Sequence, residues 1–190
     1  MEYSIKEVAK IIGSKSNVLH DDAITMLLTD SRTVSFPEQS LFFALKTKTN
    51  DGHKYIPELY KLRVRNFVVS EMPPSTDMYA DANFLLVKDP LRALQQLAAH
   101  HRKKFEIPVI GITGSNGKTI VKEFLYQLLH TEFNIVRSPR SFNSQLGVPL
   151  SVWQINPKHT LGIFEAGISQ PDEMERLQPI IAPTIGIITN

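Results

Sequence analysis

Gly111-Ile112-Thr113-Gly114-Ser115-Asn116-Gly117-Lys118-Thr119 is the stretch on which the reading of this chain turns. Ahead of it, Val109-Ile110-Gly111-Ile112-Thr113 has the length and β-branching of a short buried strand. Behind it the apolar spacing predicts a helix from about Lys118 to His130, with Val121, Phe124, Leu125, Leu128 and Leu129 turned inward. A glycine-rich turn between strand and helix lets backbone N–H groups approach phosphate oxygens, and the helix N-terminus adds a favourable dipole and unpaired donors. In that setting Lys118 reaches the outer phosphates and Thr119 offers its hydroxyl to magnesium. The strict spacing G-x-x-x-x-G-K-[ST] requires glycine at position 112, where Ile112 stands. The competing reading is a plain glycine turn with an exposed lysine; a Gly-Lys-Thr at the start of a helix argues against it.

On the C-terminal side the pattern continues with a strand near Ile135, a helix near Val148–Trp153, a strand over Leu161–Phe164, a helix from Asp172 to about Leu177 and a strand over Ile185–Thr189. Strands alternating with helices imply a parallel sheet with right-handed crossovers. Glu165 follows directly on one of these strands, at the edge where such sheets bind ligands. Its carboxylate suits magnesium, which takes a few carboxylates alongside phosphate oxygens; the alternative is a surface glutamate. The chain stops at Thr189-Asn190, where the loop after a strand should begin, so it is expected to be a piece of a longer protein.

On the N-terminal side Ser4 and Glu7 make a capping box ahead of the stripe Ile5, Val8, Ala9 and Ile12, with Gly13 as a stop. Short strands are expected at Leu41–Leu45, Asn66–Val69 and Phe84–Val87, with a short helix over about 53–62 if Pro57 sits in its first turn. Asp89-Pro90 opens a helix running to about Lys104, aspartate as cap and proline in the first turn. The expected class is therefore α/β: a small mixed α/β domain over residues 1–88, a linker helix over 89–106, and from 107 to 190 the first part of a parallel-sheet domain of the phosphate-loop type.

Composition narrows the function. The chain has 190 residues, 42% of them hydrophobic, which suits a globular protein of one large or two small domains. It has no cysteine, which excludes a disulfide scaffold, a thiolate zinc site and a cysteine nucleophile. The net charge of +2 has one basic cluster, Arg102-Lys103-Lys104, and no stripe interleaved with aromatics, so no nucleic-acid partner is expected. No apolar run is long enough to span a membrane and no signal peptide opens the chain, so a soluble cytoplasmic protein is expected. His53 reads as a helix-start cap or core hydrogen bonder rather than a catalytic base, and His100-His101 as solvated surface. Met72, Met78 and the phenylalanines read as packing, and Trp153 as buried against the sheet.

Several segments, taken in order, resemble the Mur ligase family. Gly111–Thr119 resembles its ATP loop, including the one-residue departure from the strict spacing. Phe142-Asn143-Ser144-Gln145-Leu146-Gly147-Val148-Pro149-Leu150 resembles its asparagine…Gly-Val-Pro segment, and Phe164-Glu165-Ala166-Gly167 its magnesium segment. Thr189-Asn190 looks like the start of its Thr-Asn-Ile-Gly-x-x-His segment. Upstream, Thr29-Asp30-Ser31-Arg32, Leu41-Phe42-Phe43-Ala44-Leu45-Lys46 and Asp51-Gly52-His53 resemble the family's UDP-sugar-binding domain. Val121-Lys122-Glu123 and Gly147–Leu150 look most like the branch that adds D-alanyl-D-alanine to UDP-N-acetylmuramoyl-tripeptide. Leu45–His53 further resembles the form of it fused to an alanine racemase. Ser144, Ser169-Gln170 and Lys46-Thr47 depart from the common pattern.

The resemblance implies ATP and Mg2+ as cofactors and an acyl-phosphate route to an amide in peptidoglycan synthesis. It implies nucleotide contacts at Thr113, Gly114, Ser115, Asn116, Gly117, Lys118 and Thr119, catalytic roles for Lys118 and Asn143, metal ligation by Thr119 and Glu165, and contacts to the UDP substrate from Ser31, Arg32 and Lys46. It also implies C-terminal domains of the same chain that close over ATP, without which residues 1–190 should not ligate. The alternatives are another Mur-type ligase or one like folylpolyglutamate synthase, a non-catalytic nucleotide- or UDP-sugar-binding module, and a phosphate-loop kinase or GTPase.

Overall fold

The computed structural model of the chain describes residues 1–168 and 172–190. Ser169-Gln170 therefore lies outside the described residues. The chain divides into two compact units, residues 1–94 and 95–190.

In the first unit a two-residue strand, β1 (Tyr3–Ser4), runs straight into helix α1 (Ile5–Ile11). Ser4 caps α1, its Oγ accepting the Glu7 N–H at 3.2 Å, and Ile5, Val8 and Ala9 are buried. β1 pairs antiparallel with β2 (Ala23–Ile24). The main sheet holds β3 (Met26–Leu28), β4 (Ser40–Phe43), β5 (Asn66–Val69) and β6 (Asn83–Leu86), in that order and all parallel. Parallel neighbours cannot be joined by a hairpin, so each pair is separated by a crossover. Helix α2 (Ile56–Lys61) makes the one between β4 and β5, with Pro57 in its first turn, where a missing N–H costs nothing. Across the strands Phe67 stacks on Phe84 and meets Phe42 edge to face, in a core with Leu28, Ile56, Leu59 and Val69. β3 went unforeseen in the sequence: three residues flanked by polar positions carry no period of their own.

Helix α3 (Pro90–Lys103) contains the boundary between the units. Asp89 caps it, its Oδ1 accepting the N–H groups of Leu91 and Arg92 at 2.9 and 3.1 Å. The second unit is a four-stranded parallel sheet in the order β10-β7-β9-β8. Its members are β7 (Val109–Gly114), β8 (Ile135–Arg137), β9 (Leu161–Glu165) and β10 (Ile185–Thr189). Helices α4 (Lys118–Leu129), α5 (Gly147–Val152) and α6 (Glu173–Ile181) lie between them in sequence. Strand alternation sends Val109 and Phe164 to one face, with α5 and α6, and Ile110, Ile112 and Ile163 to the other, with α4. This is the expected α/β class with helices on both faces of a parallel sheet.

Three expectations are corrected. Val121, Leu125 and Leu129 face the sheet, but Phe124 and Leu128 of α4 are 60% and 72% exposed. This helix carries apolar residues on most sides, so periodicity alone could not select the buried stripe. His101 is buried, not solvated: its Nε2 meets the Ile155 carbonyl at 2.9 Å, and the Trp153 ring lies against it. Met78, at 71% exposed, is not packing. Arg102 of the basic cluster is also internal, donating to the carbonyls of Ile181, Ala182, Phe105 and Ile107. No helix among the described residues is long and apolar enough to cross a membrane.

Candidate nucleotide and metal site

The carboxyl end of β7 lies between β9 on one side and β10 on the other. In open parallel sheets, ligands bind at such a point, outside the strand ends where the connections diverge. The turn from β7 to α4 depends on two glycines with positive φ, Gly114 at 126° and Gly117 at 82°. Gly117 caps α4 without a side-chain hydrogen bond, so the first amides of the helix point out of the turn uncovered by any cap. A Cβ on Gly114 would come within 2.1 Å of the Thr189 carbonyl oxygen, so this position admits only glycine. Thr189 in turn donates its hydroxyl to the carbonyls of Thr113 and Asn116, tying the end of β10 to the turn.

Lys118 folds back over the turn, its Nζ donating to the carbonyls of Gly114 at 2.6 Å and Ser115 at 3.2 Å. Thr113 is spent on structure, its hydroxyl bonding to the Ala166 carbonyl at 3.0 Å. Thr119 points the other way, its Oγ1 donating to Glu165 Oε2 at 3.0 Å. Asn143 Nδ2 reaches the same oxygen at 3.4 Å. Gly114, Ser115, Lys118, Asn143, Ser144 and Gly167 line a cleft of about 690 Å³ beside the turn. Of the residues singled out in the sequence, Lys118, Thr119, Asn143 and Glu165 thus come together here. Gly167 allows this convergence: its N–H donates to the Asn143 carbonyl at 2.7 Å, and a Cβ there would press on the Asn143 side chain at 2.9 Å. Ser144 stiffens the same loop, accepting the Gly147 N–H at 3.1 Å.

Glu165 is fully buried. Its Oε1 accepts no well-directed hydrogen bond, although the Lys122 ammonium lies 2.9 Å away. Magnesium holds its oxygen ligands at about 2.0–2.1 Å in an octahedron, which separates neighbouring ligand oxygens by about 3 Å. Thr119 Oγ1 and Glu165 Oε2 have that separation, so the pair fits a magnesium ion. The residue missed in the sequence is Lys122. It was quoted there only as part of a segment, and a lysine on an amphipathic helix reads as solvated until packing shows otherwise.

The expected substrate residues lie in the first unit. Ser31 and Arg32 start a 3-10 turn capped by Asp30. The Arg32 guanidinium, 86% exposed, chelates that carboxylate and, with its own backbone N–H, holds the Asp30 carboxyl down to about 2. Lys46 lies between Asp51 at 3.3 Å and Glu71 at 3.6 Å, which raises its affinity for the proton. Asp51 caps the next turn: the His53 backbone N–H and ring hold its carboxyl down to about 2. His53 Nε2 accepts the Ser70 N–H at 3.1 Å, so the ring is a hydrogen bonder, as expected. Asp51, His53 and Glu71 have metal-ligand spacing, but the Lys46 ammonium already pairs with both carboxylates.

Two family profiles match the chain: the Mur ligase middle domain over residues 112–190 and the Mur ligase family catalytic domain over residues 23–102. The chain belongs to the Mur ligase family. Among relatives, this Mur ligase chain is 36% identical over 93% of its length to the UDP-N-acetylmuramoyl-tripeptide–D-alanyl-D-alanine ligase of Synechocystis, covering 38% of that protein. It is 38% identical over 85% of its length to the Treponema pallidum protein of the same name, covering 36% of it. A crystal structure of MurF from Acinetobacter baumannii superimposes with a TM-score of 0.89 at 25% identity, over 99% of this chain and 41% of that one. MurF from Thermotoga maritima, in complex with ADP, does so with a TM-score of 0.72 at 28% identity, over 83% and 35%. The Mur ligase chain therefore spans about two fifths of the length of the relatives it matches.

Proposed function

We propose that this chain is the N-terminal part of an ATP-dependent amide ligase that adds D-alanyl-D-alanine to UDP-N-acetylmuramoyl-tripeptide in peptidoglycan synthesis. The observation that carries the reading is the convergence of Thr119 Oγ1 and Glu165 Oε2, 3.0 Å apart, beside a glycine turn at the head of α4. A turn that bound only a nucleotide's phosphates would not need a buried carboxylate facing its threonine. The names of the relatives and the ADP complex of one of them support the substrate and the nucleotide.

In this reading, residues 1–88 hold the UDP end of the substrate, 89–106 form a linker helix and 107–190 open the ATP-binding domain. Ser31, Arg32 and Lys46 contact the UDP moiety. The amides of Gly114, Ser115, Asn116 and Gly117 cradle the phosphates, and Thr113 fixes the turn from behind. Lys118 exchanges its two carbonyl contacts for the β- and γ-phosphate oxygens, offsetting charge as the phosphoryl group moves to the substrate carboxylate. Thr119 and Glu165 hold Mg2+, which supplies charge neutralisation at the phosphates. Asn143, in contact with Glu165 and on the wall of the cleft, orders the metal site or contacts the substrate. The amine of D-alanyl-D-alanine then attacks the carbonyl carbon of the acyl phosphate, and the amide forms as the C–O bond to phosphate breaks, inorganic phosphate leaves and the amine loses a proton. The protein's share is positioning, and a further domain that closes over ATP completes the site.

Calorimetric titration of the chain with UDP-N-acetylmuramoyl-tripeptide, and separately with MgADP, tests this against Lys118→Ala. The expected result is saturable binding of both, with only the nucleotide affinity falling in the variant. Nucleotide binding without UDP-ligand binding would reject the substrate assignment in favour of a sister ligase. Nucleotide binding indifferent to Lys118→Ala would reject the site.

A further inference from the structure

We propose that Lys122 is the positioning residue of this site, setting the rotamer of Glu165 so that one carboxylate oxygen faces Thr119. The inference rests on the nucleotide–magnesium reading above and goes one layer behind it. Lys122 lies on α4 three residues after Thr119, so the two side chains share a helix face. It is 0% exposed and Glu165 is 0% exposed, making them a fully buried ion pair.

The ammonium has three protons and four oxygens around it, three of them close. Nζ donates to the Ser138 carbonyl at 2.9 Å and to the Arg140 carbonyl, and it lies 2.9 Å from Glu165 Oε1. Glu123 Oε1 is a fourth neighbour at 3.3 Å. Both ends of Glu165 are thereby defined: Oε1 turns inward to Lys122, and Oε2 turns outward to Thr119 and Asn143. The backbone agrees with the side chain, since the Glu165 N–H donates to Ser138 Oγ at 3.1 Å and the Ser138 N–H to the Ile163 carbonyl at 3.1 Å. Arg140, which Lys122 also holds, adopts a φ of 50°, a conformation that a non-glycine residue keeps only when its surroundings enforce it. One ammonium thus fixes the head of α4, the segment after β8 and the end of β9 against each other.

Net stability does not account for such a pair. Desolvating two charges costs about as much as their attraction returns, and a well-packed apolar pair would serve the core equally well. What the pair provides is direction. Lys122 has no exposed surface from which to touch a phosphate, so it acts through Glu165 and is not itself a catalytic residue.

The test reads the magnesium dependence of ADP affinity, as the ratio of the dissociation constant in EDTA to that in excess Mg2+. Wild type, Lys122→Met, Glu165→Gln and the double variant are compared by calorimetry. Loss of a residue that orients a metal ligand costs about tenfold or more in metal affinity, so Lys122→Met should lower the ratio about tenfold and leave ADP affinity in EDTA unchanged. In the Glu165→Gln background the same substitution should leave the ratio unchanged. A ratio unaltered by Lys122→Met, an equal loss with and without Mg2+, or a further fall in the double variant would each overturn the proposal. If Lys122→Met fails to fold because Glu165 is left unpaired, Lys122→Arg takes its place: it keeps a buried cation beside Glu165 but changes the donor geometry, and the same fall in the ratio is expected, an unaltered ratio overturning the proposal. A wild-type chain whose ADP affinity ignores Mg2+ would instead refute the site reading, and this inference with it.

Discussion

Replacing Gly114 with alanine should damage the second unit far more than a single methyl group suggests. Gly114 has a φ of 126°, and a Cβ there would stand 2.1 Å from the Thr189 carbonyl oxygen and 2.5 Å from Thr189 Oγ1. Holding an L-residue in such a conformation costs about 1–3 kcal/mol. Relieving the collision moves the end of β10, which forfeits the Thr189 hydroxyl bond, shared between the Thr113 and Asn116 carbonyls, and the Asn116 N–H bond to the Asn190 carbonyl, at about 1 kcal/mol each. Where strand and turn share the strain, the total is about 2–5 kcal/mol, from a native stability of about 5–15 kcal/mol. Urea unfolding followed by the fluorescence of Trp153, the single tryptophan, reads this unit alone. With an m-value of about 1.5 kcal/mol/M, the midpoint should fall by about 1–3 M. Gly186→Ala is the control: it lies on the same strand, β10, and a Cβ there meets nothing within 4 Å, so a change under about 0.5 kcal/mol is expected. Equal midpoints for the two variants would refute the account of the turn.

Two further outcomes follow from the side chains. Burial pushes the His101 imidazole down to about 4 from an ordinary value of 6.5. A base depressed in the folded state is protonated preferentially on unfolding. Its contribution is therefore whole above pH 6.5 and is lost as the pH falls from there to about 4, by about 3 kcal/mol in all. The Trp153 urea midpoint should fall over that window, and His101→Gln should flatten the fall; an unchanged profile in the variant would assign it to other groups. Arg32→Ala removes an exposed ion pair and should leave stability essentially unchanged. It should still weaken UDP-ligand binding about tenfold by calorimetry, and unaltered affinity would remove Arg32 from the substrate site.

Much of the site was legible because its signals are local. Gly114, Gly117, Lys118 and Thr119 sit within six consecutive positions, and the strand before them and helix after them are each set by near-neighbour periodicity. Glu165 could be guessed from its place at the end of a strand. Its buried environment could not, because that depends on Thr119, Lys122, Ser138 and Asn143, which arrive from other elements. The same limit explains what the sequence could not give. Phe124 and Leu128 could not be told from Leu125 and Leu129 on a helix that is apolar on most sides. His101 differs from His100 only in which turn of α3 meets Ile155 and Trp153. β3 exists because β4 pairs with it.

The sequence by itself determined the helices and most strands, the glycine turn, the α/β class and the family resemblance, since these rest on propensity, period and spacing over a few residues. Tertiary structure alone decided the strand order β10-β7-β9-β8, the face α4 buries, and the burial of His101, Arg102 and Lys122. The physical reason is that these outcomes depend on contacts between residues distant in the chain. An ammonium becomes an internal support only when two carbonyls from the segment after β8 and a carboxylate at the end of β9 converge on it, and no window of sequence contains all of them.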